Sequence, residues 1–205
     1  MKLSIWERAM QNETSAVWAL VLVFLLTASP ARAESSAGLM NQGIQSSLKG
    51  DDEKAVAIFK EILSAEPANF YAYNNLGMVY AKIGKADLAL ESYKAALKIN
   101  PKFSMTLNNI SQIYKQRGEY GEAETHLKKA IQEFPSMEIA HANLGEIYLI
   151  QKRYDEAIEA LGKALELKPD QPQFRLMLTK AYEGKGLDAA ARKEFELYDQ
   201  LKKKP

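Results

Sequence analysis

Apolar residues recur along this chain at intervals of three and four, and glycine and proline interrupt the pattern at regular distances. In one stretch Tyr73, Leu76 and Tyr80 stand at i, i+3 and i+7, and in the next Ala89 and Tyr93 stand at i and i+4. Both spacings put apolar side chains on one face of an α-helix. The pattern therefore predicts pairs of amphipathic helices.

The same pattern returns every 34 residues. Four prolines stand at this step: Pro67, Pro101, Pro135 and Pro169. Three further columns keep it: Leu76, Ile110, Leu144 and Leu178; Tyr80, Tyr114, Tyr148 and Tyr182; Ala55, Ala89, Ala123, Ala157 and Ala191. One helix pair cannot bury its apolar face alone, whereas a stack of pairs buries each face against its neighbour. The chain is therefore predicted to be all-α, a stack of about five helix pairs.

Turn signals separate the two helices of each copy. Gly84 suits the left-handed conformation that ends a helix, and Asp87 falls in the opening turn of the next helix, where the helix dipole favours an acid. Pro101 closes the copy because it has no N–H to donate and pushes Asn100 out of helical geometry. Most aligned positions keep these residue types, although Lys152 replaces the glycine in the fourth copy.

These residues resemble the tetratricopeptide-repeat family. The second copy carries the family pattern as Tyr73, Leu76, Gly77, Tyr80, Gly84, Ala89, Tyr93, Ala96 and Pro101. Departures occur in the first copy at Gln42 and Ser46, where Gln42-Gly43 stands in place of Leu-Gly, and in the third at Ser111 and Leu127. The resemblance implies a right-handed superhelical solenoid with units at about residues 36–69, 70–103, 104–137, 138–171 and 172–205. The two terminal units are expected to be atypical because one side of each faces water.

The first 33 residues have the pattern of a secretory signal peptide. Lys2 and Arg8 precede an apolar run at residues 16–26, and a small-x-small site ends at Ala33. This order is typical of exported proteins, and the run is shorter than the about 20 residues that span a membrane. We expect cleavage after Ala33, which leaves a periplasmic or secreted domain at residues 34–205. The alternative is an uncleaved anchor that holds the chain to a membrane through residues 16–28.

Composition narrows the function classes. The chain has 27 basic and 26 acidic residues, and removal of residues 1–33 takes away three of the first and two of the second, which leaves a formally neutral domain. Nucleic-acid binding needs a basic surface to replace counterions, so a nucleic-acid partner is not expected. With no cysteine in the sequence, a disulfide framework and a thiolate metal site are excluded.

Catalytic chemistry is not indicated either. The sequence has no glycine-rich phosphate loop, HExxH motif or nucleophile elbow. Its two histidines, His126 and His141, lie in adjoining copies, but two ligands without a clear third make a poor metal site. The prediction is a non-enzymatic protein with no cofactor and no metal.

The resemblance also implies a binding surface. In this family the inner face of the solenoid is built from first-helix residues that are not used to pack the two helices together. Carried onto this sequence, the candidates are Tyr71, Asn74, Asn75, Met78 and Lys82 in the second copy; Met105, Asn108, Asn109, Gln112 and Lys115 in the third; and Ile139, Asn143, Glu146, Leu149 and Ile150 in the fourth.

Asn75, Asn109 and Asn143 stand at the repeat step and predict a ladder of amides. An asparagine side chain donates and accepts like a peptide group, so the ladder could hold the backbone of an extended segment. It could equally brace neighbouring helices, and the sequence leaves both interpretations open. Lys82 and Lys115 would weakly favour an acidic ligand.

The leading functional hypothesis is an exported adaptor that binds a peptide segment or a partner helix in its groove. A structural role, in which the solenoid associates with itself within an envelope complex, is the alternative. The sequence identifies neither the partner nor the pathway.

Overall fold

The computed structural model describes residues 35–203, which form ten α-helices and no strand within that range. The helices are α1 Ser36–Leu48, α2 Asp52–Ala65, α3 Phe70–Lys82, α4 Ala86–Ile99, α5 Ser104–Gln116, α6 Tyr120–Glu133, α7 Glu138–Ile150, α8 Tyr154–Leu167, α9 Pro172–Lys185 and α10 Asp188–Lys203. The predicted signal peptide, residues 1–33, lies outside the described residues.

Helix contacts follow the order of the chain. From α3 onwards each first helix contacts its own second helix, in the pairs α3–α4, α5–α6, α7–α8 and α9–α10. Each second helix also contacts the next first helix, in the pairs α2–α3, α4–α5, α6–α7 and α8–α9. A chain in which each unit contacts only its neighbours is a solenoid, which confirms the predicted fold class.

A glycine of the first helix packs against a large side chain of the second helix in the same copy. A Cβ atom on Gly77 would lie 2.5 Å from Cε1 of Tyr93, and one on Gly43 would lie 2.8 Å from the ring of Phe59. Both rings are almost fully buried. The absence of a side chain therefore lets the backbone of the first helix rest on the ring, even in the first copy, where the family pattern is weak.

The predicted turn signals have their expected conformations. Gly84 has a φ of 77° after α3, and Asp87 lies in the first turn of α4. Pro101 lies two residues beyond the end of that helix at Ile99. Lys152, which replaces glycine after α7, has a φ of 58°. The fourth copy thus keeps the turn geometry in spite of the side chain.

Candidate functional site

The first helices carry a series of exposed apolar side chains. We call this surface the inner face, defined by Ile44, Leu48, Tyr71, Met78, Met105, Ile139 and Ile150, each at least 36% exposed. Tyr71, Met105 and Ile139 follow one another at the repeat step, with exposed fractions of 55%, 50% and 41%. A soluble protein rarely exposes a contiguous apolar surface without a use for it, so this column is the strongest candidate for a binding surface.

The column is extended by aromatic rings and a cavity at the start of the first helices. The ring of Phe103 lies edge-on to that of Tyr71, with centroids 5.3 Å apart. A cavity of about 510 Å³ opens beside Met105 and Ile139, and Phe103, Phe134 and Met137 contribute to its wall. Phe134 is 53% exposed. The cavity offers room for a bulky apolar side chain of a ligand.

The predicted asparagine ladder is occupied by contacts between copies. Nδ2 of Asn109 donates to Oδ1 of Asn74 at 3.1 Å, and Nδ2 of Asn143 donates to Oδ1 of Asn108 at 2.7 Å. Nδ2 of Asn75 points back to the sulfur of Met40 at 3.2 Å. In each case the amide reaches the first helix of the preceding copy, which is the bracing geometry that the sequence left as one of two possibilities.

Two of the predicted binding residues are not at the surface. Asn74 is 2% exposed and Asn108 is 7% exposed. Asn74 also accepts a hydrogen bond from Oγ1 of the fully buried Thr106 at 2.8 Å. Their expected place on the open face is therefore wrong, because the turn of the helix directs both side chains toward the neighbouring copy, and a ligand on the inner face does not reach them.

The charged residues of the predicted site pair with one another or with adjacent copies. Nζ of Lys82 lies 2.7 Å from Oδ1 of Asp52, and Nζ of Lys115 lies 2.7 Å from Oε2 of Glu146. Both lysines thus have an acidic partner within the solenoid, so they offer little unpaired charge to an acidic ligand. Gln112 is partly buried on the same face as Met105.

The chain matches the sequence models of a known repeat family. Models of the tetratricopeptide repeat match residues 70–103, 92–125, 109–172 and 148–204. The chain carries tetratricopeptide repeats. Proteins with this repeat generally bind protein partners and are typically non-enzymatic scaffolds.

Solved structures with the same fold include repeat proteins of similar length. A crystal structure of MamA is 28% identical, with a TM-score of 0.69, and the match covers 82% of this chain and 92% of that one. A second MamA crystal structure is 29% identical, with a TM-score of 0.70, over 78% of this chain and 94% of that one. PilF of Pseudomonas aeruginosa is 26% identical, with a TM-score of 0.77, over 83% of this chain and 78% of that one. A search of curated protein sequences gives no significant match.

Two inner-face residues of the repeat protein, Ile44 and Leu48, were not predicted. They stand at the repeat step from Met78 and Lys82, so the alignment contains the signal that places them. The first copy was left out of the predicted site because it departs from the family pattern. Phe103, Phe134 and Met137 were missed for another reason, since they precede the first helices and belong to no helical spacing.

Glu124, a carboxyl group with a strongly lowered pKa, is not one of the inner-face residues. Partial burial alone would raise the pKa of Glu124, but hydrogen bonds from Arg153, Lys128 and Tyr148 outweigh it and lower the pKa to about 2. Nη1 of Arg153 lies 2.7 Å from Oε2 of Glu124. Burial raises the pKa of Tyr93, in the core. The hydrogen bond between Arg153 and Glu124 joins α6 to the start of α8.

The two histidines bind backbone oxygens. Nδ1 of His126 lies 2.9 Å from the carbonyl oxygen of Glu122, and Nε2 of His141 lies 2.9 Å from that of Pro135. Within residues 35–203 no group of three or more histidine, aspartate or glutamate side chains is placed to hold a metal ion. In the same range no helix is both long and apolar enough for a transmembrane span.

Proposed function

We propose that this chain is a non-enzymatic scaffold that holds an apolar segment of a partner protein against its inner face. The observation that carries the proposal is the column of Tyr71, Met105 and Ile139, which remain half exposed at the same position in three successive copies. Three aligned apolar side chains beside a cavity suit a ligand that crosses several copies.

The recognition chemistry differs from a ladder of amides. Because the Asn75, Asn109 and Asn143 amides already donate to the preceding copy, the proposed ligand is held by apolar contact. One bulky side chain of the ligand enters the cavity beside Met105, and its neighbours lie over Tyr71 and Ile139. Methionine adapts its shape to different ligands, which suits a scaffold with more than one partner.

Site-specific photo-crosslinking tests this surface. A benzoylphenylalanine residue at position 105 is expected to give a discrete product with a partner in the source cells. The same residue at position 88 is the control, because Leu88 is 40% exposed but lies on a second helix. Met105→Glu should remove a product trapped from position 71. Equal products from positions 88 and 105, or a product insensitive to Met105→Glu, would show that the inner face is not the binding surface.

Export is the second part of the proposal. It rests on the charged start, the apolar run at residues 16–26 and the site that ends at Ala33. The mass of the protein purified from the exported fraction provides the test, with a first residue of Glu34 expected. An intact chain in the membrane fraction would indicate the anchored alternative, and an intact chain in the cytoplasm would contradict both. Sedimentation at several concentrations tests the self-associating role, which a strict monomer would exclude.

A further inference from the structure

One repeat position behaves differently in the last copy. Phe59, Tyr93, Leu127 and Leu161 stand at this position in the first four copies, and each is at most 2% exposed. Phe195 stands at the same position in α10 and is 50% exposed. Leu187, just before α10, is 43% exposed. The last copy therefore presents at its surface a side chain that the other copies bury.

The facing helix also differs in the last copy. The residue that faces this position is glycine at Gly43 and Gly77, where an added Cβ would lie 2.8 Å and 2.5 Å from the aromatic ring. The aligned residue in α9 is Thr179, which is 3% exposed. Thr179 and Phe195 line one cavity of about 460 Å³.

At the internal junctions this side of the pair is covered by the next first helix. The helix α3 covers α2, and α9 covers α8, for example. Within residues 35–203 no helix covers α9 and α10 in this way. The open side has the form that a first helix occupies elsewhere in the same chain.

At an internal junction, the first helix contributes a basic residue that pairs with an acid of the preceding copy. Lys82, in the last turn of α3, lies 2.7 Å from Asp52, in the first turn of α2, and donates to the carbonyl oxygen of Ser47. At the repeat step, Asp188 stands in the place of Asp52, and Glu183 in that of Ser47.

No helix among the described residues covers the corresponding groups at the open side. Asp188 and Glu183 line the cavity beside Phe195, together with Arg192. The structure records no ion pair for these three residues among the residues it describes. Two acids beside an apolar ring are complementary to a helix with an apolar face and a basic last turn.

We propose that the open side of α9 and α10 binds an amphipathic helix of a partner protein, whose apolar face covers Phe195 and whose C-terminal lysine or arginine pairs with Asp188 and Glu183. The bound helix takes the place of a further first helix. This site is separate from the inner face, and neither proposal depends on the other.

The probe is a synthetic helix with the sequence of residues 69–84, which contains α3 and Lys82. A hydrocarbon staple joins positions 71 and 78, because a helix this short is marginal in water and both side chains are exposed in the fold. Binding of the fluorescein-labelled helix to the full chain is measured by anisotropy. Phe195→Ser is expected to weaken binding by about tenfold or more, whereas Leu88→Ser, a control at an exposed apolar residue of the second helix α4, leaves binding unchanged.

A charge exchange tests the pairing. Asp188→Lys is expected to weaken binding by about two- to fivefold, and a probe with Lys82→Glu should recover affinity for the Asp188→Lys protein. Absence of binding, or binding insensitive to Phe195→Ser and to the exchange, overturns the proposal. Concentration-dependent association of the chain that Phe195→Ser removes would assign this side to a second copy and would also overturn it. Circular dichroism confirms that each variant is folded.

Discussion

The first and last copies depart from the family pattern in opposite ways. The first has lost the leucine and tyrosine of its first helix, yet Gly43 still rests on the buried ring of Phe59. The last keeps Leu178 and Tyr182 but carries Thr179 in place of glycine, and Phe195 is half exposed. Agreement with a pattern and quality of packing are thus different properties.

The largest expected effect compares the two rings directly. Phe59→Ala should lower the free energy of unfolding by about 3–5 kcal/mol, because it leaves a cavity at a site that is 1% exposed. Phe195→Ala should lower it by less than about 1 kcal/mol, since half of the ring already contacts water. Urea titrations followed by circular dichroism measure both. Similar losses in the two variants would show that Phe195 is packed like its counterparts.

The glycine side of the pair gives the next test. Gly77→Ala would place a Cβ 2.5 Å from the ring of Tyr93, so overpacking should cost about 1–3 kcal/mol. Gly162→Ala is the matched control within α8, where an added Cβ meets nothing within 4 Å. It should stabilise the chain by about 0.5–1 kcal/mol through helix propensity. The two substitutions are therefore expected to shift the midpoint of urea unfolding in opposite directions.

Much of the fold could be predicted because the same sequence pattern occurs in several copies. The columns headed by Leu76, Tyr80 and Ala89 each occur in several copies, so an error in one copy does not change the fold. The exposed residues Tyr71 and Met105 were predicted because the family resemblance places the inner face on first-helix residues that do not pack the two helices together. Periodicity therefore identifies the elements and the general direction of their faces.

Periodicity does not predict which individual side chains contact each other. Asn74 and Asn75 are adjacent on one helix, and spacing alone does not say that the first is buried against Thr106 while the second points to Met40. Spacing also does not show that Phe195 is 50% exposed at a position that the first four copies bury. Such features follow from the distance between two helices, which a single sequence does not contain.

Removal of the buried amide of Asn74 sharpens the contrast with the last copy, where Leu176 stands at the aligned position. Asn74→Ala leaves the hydroxyl of Thr106 without its acceptor and should cost about 1–2 kcal/mol. Adding Thr106→Val removes the unpaired hydroxyl and should recover part of the loss. Thermal unfolding of the single and double variants measures the difference, and equal stabilities would show that the hydrogen bond contributes nothing.

Glu124, whose hydrogen bond with Arg153 joins α6 to the start of α8, should make the stability of the chain depend on pH. The pKa of Glu124 is lowered from 4.5 to about 2, so its charge stabilises the fold above about pH 4.5. This contribution disappears as the pH falls toward about 2. After allowance for solvent screening it is about 1 kcal/mol. Glu124→Gln should flatten the acid limb of the stability curve. A steep limb in Glu124→Gln would assign the acid sensitivity to other groups.

The smallest expected effect concerns the turn between the two helices of a copy. In the fourth copy a lysine stands at the position where the fifth copy has a glycine. Lys152 has a φ of 58°, and Gly186 has a φ of 76° at the aligned position. A side chain makes this conformation costly, so Lys152→Gly should stabilise the chain by up to about 1 kcal/mol. Gly186→Lys should destabilise it by a similar amount. An effect at position 186 that is much smaller than the effect at position 152 would contradict this prediction and would show that the last helix pair unfolds independently of the others.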